Sequence, residues 1–198
     1  MYLPSFSSIA CLRAPCKTKK ISAYNKIFFI RMKVTRVFTH HEFPREAAEL
    51  YLEHDLIAVG FVYDADVADY GDRTKIKDLM QNRYPYMSEN QIRNAAGQFL
   101  RFRDEIDVGD IVLAYEGENI VSSVGIVTSP CIYNDENKIG DPNGDINYPN
   151  QRKVNWRKTP RFFPRWKLIP ELIYWVALPG TVYVNKKSDV VNINDIFK

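Results

Sequence analysis

NQIRNAAGQFLRF (residues 90–102), VGDIVLAYEGENIVSSVGIVTSPCIY (108–133) and QRKVNW (151–156) decide the fold of this 198-residue chain. The first block predicts a helix that begins at Ser88. The Ser88 hydroxyl can cap the first turn, while Gln91, three residues on, can reach back to the Ser88 amide as in a capping box. Ile92, Ala95, Ala96, Phe99, Leu100 and Ile106 recur mostly at three- and four-residue intervals, so one face of that helix is buried. DVGD (107–110) supplies a glycine turn, after which IVLAY barely alternates and predicts a strand covered on both faces. Glu116, Gly117, Glu118 and Asn119 then turn the chain back into IVSSVGIV, a hairpin signal.

Outward from this centre, the pattern predicts a strand at 34–39, a helix at 44–53, a strand at 56–62 and a helix at 74–82 that Pro85 ends. Further strands are expected at 111–115, 120–128 and 152–157, with a loop over 129–151 between the last two. A closing pair is expected at 172–177 and 181–184. Strands and helices mixed in this order predict an α+β fold, a small mixed β-barrel with helices packed outside.

The chain is 45% hydrophobic and 26% charged, enough for one core of ordinary size, so a single domain over 32–198 is expected. Residues 1–31 carry Arg13, Lys17, Lys19, Lys20, Lys26 and Arg31 with no acid, a composition that suits a targeting peptide, a nucleic-acid-binding arm or a poorly ordered tail. A poorly ordered tail or an over-extended start is preferred, since Met32 is followed at once by the strand-like KVTRVF, and deleting this leader is expected to leave the thermal melt intact. Without it the net charge of +3 becomes 21 cations against 24 carboxylates. Global charge therefore does not argue for nucleic acid, but local charge does. Arg152, Lys153, Arg157, Lys158, Arg161, Arg165 and Lys167 fall between Gln151 and Pro170 with no carboxylate among them, a patch that can neutralise several phosphates.

Cys11, Cys16 and Cys131 form neither a disulfide framework nor a zinc spacing. No apolar run approaches the roughly 20 residues that span a bilayer, so a soluble, cytoplasmic protein with no membrane partner is expected. His40 and His41 are adjacent on a strand end and point to opposite faces, which argues against a metal pair. NDENKIGDPNGDIN (134–147) has the carboxylates but not the flanking helices of a calcium loop. Asp64, Asp66, Asp69 and Asp72 lack the lysine spacing of a nuclease, and no GxxxxGK[ST] is present for a nucleotide motor. No nucleophile triad can be assembled from three His and three scattered Cys. A binder without a cofactor, rather than an enzyme, is expected. Trp156, Trp166 and Trp175 read as packing residues.

IAVGF (57–61), RNAAGQFLRF, VGDIVLAY, Gly125 of SVGIVTSP and QRKVNW together resemble the EVE branch of the PUA-like superfamily, over about 32–198. That superfamily includes the YTH readers of N6-methyladenine and the SRA readers of methylcytosine, and EVE-like modules serve as N-terminal specificity domains of McrBC-type restriction systems. The resemblance implies a non-enzymatic nucleic-acid reader that flips a modified base, most directly a methylated one in DNA, into an aromatic cage, with motor and nuclease subunits as partners. It carries Phe61, Tyr133 and Tyr148 over as cage residues. Thr39, His40 and His41, with backbone near Val62 and Tyr63, fall where that family contacts the base edge. This chain has Phe and Tyr where YTH domains usually have Trp. Phe61 also reads as plain core. An RNA-binding PUA-like module that recognises modified or structured RNA is the alternative, and an ASCH-like enzyme a third reading, one that demands an ionisable cluster in the pocket.

Overall fold

A computed structural model of the chain describes residues 32–40, 42–60, 66, 71–117, 119–134, 136, 148–176, 180–185 and 192–197. Among the described residues the fold is mixed α+β, built on a curled, half-closed sheet of eight strands. The strands are β1 (Val34–Phe38), β2 (Leu56–Val59), β3 (Ile111–Tyr115), β4 (Ile120–Val127), β5 (Ile132–Tyr133), β6 (Asn150–Trp156), β7 (Phe163–Pro164) and β8 (Val182–Asn185). Their order across the sheet is β2-β6-β4-β3-β1-β8, with β5 on β6 and β7 on β4. Only β1 and β3 run parallel, Val34 opposite Ile111; the other pairs are antiparallel.

The alternation of side chains along β3 explains why IVLAY is apolar throughout. Val112 and Ala114 join one core with Val37, Val127, Val154 and Trp156, while Ile111, Leu113 and Tyr115 join another with Val34, Val121, Val124 and Phe163. All five residues of β3 are buried, as a strand covered on both faces must be. Strand β6 is the corner of the sheet. Its first half, 150–153, pairs with β2, and its second half, 154–156, pairs with β4. Gly125 of β4 makes this crossing possible, because a Cβ there would collide with the Val154 and Trp156 side chains.

Helices α1 (Pro44–Glu53), α2 (Arg73–Arg83) and α3 (Glu89–Leu100) cover the first core through Tyr51, Ile76, Met80, Ile92 and Phe99. The capping box at Ser88 is present, with the Ser88 amide donating to Gln91 Oε1 at 2.8 Å and the Gln91 amide donating to Ser88 Oγ at 3.4 Å. Beyond Leu100 the helix widens into a single π-helical turn, Arg101–Glu105. Asp72 of the acidic run caps α2, accepting from the Thr74 and Lys75 amides at 2.8 and 2.9 Å. Those same amides, Lys75 foremost, hold its carboxyl below the usual carboxylate range.

One predicted strand is a helix. Residues 172–177 were expected to extend, yet α4 runs over Pro170–Val176 and lays Leu172 on the second core. Pro170 at the first position and Glu171 in the first turn favour a helix start, which outweighs the β-prone run Ile173 to Val176. The described part of the strand expected at 56–62 is Leu56–Val59, and the 129–151 loop contains β5. The leader 1–31 and most of the 134–147 loop lie outside the described residues. No helix among the described residues is long and apolar enough to cross a membrane.

Candidate functional site

Curling of the sheet brings together the ends of two strands that stand four places apart in its order. A cavity of about 170 Å³ lies between them, lined by Phe38, Thr39 and His40 after β1, by Ala58, Val59 and Gly60 along β2, and by Tyr148 and Thr181. Tyr51 of α1 forms the tie beneath it. Its hydroxyl donates to the Ala58 carbonyl at 2.8 Å and lies 3.3 Å from the Thr39 carbonyl, one from each strand end. Tyr51 is wholly buried, and burial lifts its phenol well above the ordinary value, so the hydroxyl stays a donor. Trp156 anchors Tyr51 in turn, donating from Nε1 to the Tyr51 carbonyl at 3.0 Å.

The walls are set by local hydrogen bonds. Thr39 Oγ1 donates to the Pro44 carbonyl at 2.7 Å, which commits its proton and leaves the oxygen as an acceptor. His40 Nδ1 accepts from the Glu42 and Phe43 amides at 3.0 and 2.9 Å, which fixes the turn that leads into α1. The neutral ring therefore carries its proton on Nε2. His40 is flanked by Phe43, with ring centroids 5.5 Å apart, and by Tyr148, near-parallel at 5.9 Å and 20°. The Tyr148 ring packs so closely against Gly60 that a Cβ there would stand 2.0–2.5 Å from three of its ring carbons. Gln151 Nε2 fixes the other end of that residue by donating to the Tyr148 carbonyl at 2.9 Å.

Of the residues expected to contact a base, Thr39, His40 and Tyr148 converge on this cavity. Tyr133 does not line it. It pairs with Asn150 on the opposite side of β6 from Val59, two strand spacings or about 9.6 Å away. Phe61, Val62, Tyr63 and His41 lie outside the described residues, Phe61 directly after Gly60. Tyr51, Phe43 and Gly60 were not singled out from the sequence. Of these, only Gly60 carried a signal, as the glycine that ends an apolar strand.

The expected phosphate face loses Arg152, which is 2% exposed. Its guanidinium donates to the carbonyls of Phe102, Ser129 and Arg103 at 2.8, 3.2 and 2.6 Å, tying the end of the π-helical turn to the corner strand. Desolvation is the first cause that lowers its pKa. Arg157 is half-buried, packed over the Phe197 ring and donating to Asn194 Oδ1 at 2.8 Å. Lys153 and Arg165 are half-buried, while Lys158, Arg161 and Lys167 are exposed. Trp166, expected to pack, is 60% exposed among these cations, because the turn Arg165–Lys167 lies on the surface and buries none of its residues.

Chemically, the cavity has aromatic and aliphatic walls, hydroxyls from Thr39 and Thr181, and one imidazole. No carboxylate lines it among the described residues. At about 170 Å³ it is smaller than the roughly 300–1,000 Å³ that holds a drug-sized ligand, so it suits one flat heterocycle rather than a whole nucleotide. A family model described as a domain of unknown function (DUF8426) matches residues 41–168, more than half of the chain. No curated protein matches the chain.

Proposed function

The chain belongs to the DUF8426 family, and we propose that its domain is a non-enzymatic nucleic-acid reader that takes one everted, methylated base of DNA into the cavity between Thr39, His40 and Tyr148. The observation that carries this reading is the cavity itself, sized for a single heterocycle and made by segments remote in sequence. The curled sheet is, in this proposal, a PUA-like barrel of the EVE branch, and the resemblance of the five sequence blocks supports it. The domain then serves as the specificity module of a restriction system whose motor and nuclease lie on partner chains.

Physical chemistry limits how this selectivity arises. Flipping a paired base costs a few kcal/mol, and stacking on an aromatic ring returns about 1–3 kcal/mol, so phosphate contacts must supply the rest. One buried methyl contributes about 0.8 kcal/mol, less than tenfold in affinity. Stronger discrimination requires that the unmodified base leave a hole or strand a polar group.

The test is fluorescence anisotropy with matched DNA and RNA strands, unmodified or carrying N6-methyladenine, 5-methylcytosine or 5-hydroxymethylcytosine. One modified DNA should bind tightest, and Tyr148→Ala should lower its affinity by about 5- to 150-fold, the equivalent of one stacked base, while erasing the preference. Equal binding of all strands, unchanged by Tyr148→Ala, would overturn the reading. Tighter binding of the RNA set would move the assignment to an RNA reader.

A further inference from the structure

The base cavity adjoins two further cavities, both of which lie against α3. It shares Gly60 with a second cavity of about 330 Å³, walled in part by Tyr84 and Met87 of the α2–α3 connection. The second shares Asn94 and Gln98 with a third, of about 400 Å³, whose wall includes Arg73, Arg93 and Arg101. The third also reaches Gly180, next to the Thr181 that lines the first. The three therefore form one track from aromatic cage to arginine cluster, and no residue of the 152–167 patch lines it.

Its far end is built for anions. Arg93 of α3 and Arg101, the first residue of the π-helical turn that follows it, stand eight residues apart, with Gly97 between them. Gly97 carries no Cβ, and the Arg73 guanidinium of α2 lies over it, 3.3 Å from where that atom would be. Arg93 donates to the neutral Asn90 side chain. Among the described residues none of the three arginines is in an ion pair, and no carboxylate lines the cavity. Gln98 at the junction accepts the Thr181 and Val182 amides on Oε1. Three like charges converging on one hollow repel unless an anion sits between them. Eight residues of helical rise separate Arg93 from Arg101 by about 12 Å, the span of three to four nucleotides at the ~3.4 Å rise of a duplex strand.

We propose that Arg73, Arg93 and Arg101 hold backbone phosphates of the strand whose base enters the cavity at Tyr148, so that the strand runs along α3. This rests on the base-reading proposal for its ligand but not for its chemistry, since the arginine cavity takes phosphate in either case.

The test compares Arg93→Ala/Arg101→Ala with Lys158→Ala/Lys167→Ala, using modified and unmodified strands over a salt series. The arginine pair should weaken both strands alike, by roughly tenfold at moderate salt, and flatten the log–log salt slope by about two, one unit per cation. The lysine pair, on the exposed 152–167 patch, should weaken binding and flatten the slope less than the arginine pair does. Thermal melts establish that each variant is folded, and Arg93→Lys/Arg101→Lys should restore most of the slope because charge is retained. The reverse ranking overturns the proposal. If the parent binds no strand at all, base reading fails, and the arginine site is then judged with pyrophosphate. A melt raised by pyrophosphate in the parent but not in Arg93→Ala/Arg101→Ala upholds an anion site, and no shift in the parent sinks it.

Discussion

Tyr51 is the single side chain on which the shape of the base cavity depends most. Its hydroxyl donates to the Ala58 carbonyl and sits against that of Thr39, so Tyr51→Phe removes the one donor between two buried carbonyls while keeping the ring. The expected cost is about 1–3 kcal/mol, read from denaturant midpoints, with a parallel loss of ligand affinity as the strand ends separate. An unchanged midpoint would mean that the tie is idle. This role had no signature in the sequence, because a tyrosine at helical spacing reads as core. Thr39 and His40 were reached only through the resemblance, which placed base-edge contacts in the turn after the first strand. Arg152 was legible only as a cation. Its burial is decided by three carbonyls supplied from residues 102, 103 and 129, which no local pattern displays.

At the scale of elements, sequence served best where the physics is local. The capping box of Ser88 and Gln91, the Asp107 to Asp110 turn and the all-apolar β3 each follow from neighbours within a few residues. The helix α4 escaped because its β-prone residues were weighed above Pro170 and Glu171 at its start. The arginine face escaped for another reason: Arg73 and the Arg93–Arg101 stripe come from different helices and meet only once α2 packs on α3. Gln98 links that pair of helices to the edge of the sheet, accepting the Thr181 and Val182 amides. Gln98→Leu should therefore speed hydrogen exchange at those two amides by about 2- to 10-fold, the equivalent of one modest hydrogen bond, while leaving β3 protected. Equal exchange in both proteins would show that β8 is held in place by β1 alone.

For the molecule as a whole, β3 makes two cores into one cooperative unit, since its alternate residues belong to opposite faces. Leu113→Ala, a truncation on one face only, should cost about 2–5 kcal/mol. Both faces should nevertheless melt together, with coincident near- and far-ultraviolet circular dichroism transitions. Two separated transitions would divide the domain.

The parallel pairing of β1 also governs the order in which the chain can be finished. Val34 faces Ile111 on one side and Asn185 on the other, 77 and 151 residues downstream. At a ribosomal rate of about 5–20 residues per second, the N-terminal strand VTRVF waits about 8–30 s for its second neighbour to be synthesised. Throughout that interval at least one edge of β1 lacks its partner on the nascent chain, which makes vectorial synthesis a stage at which this protein is prone to aggregate.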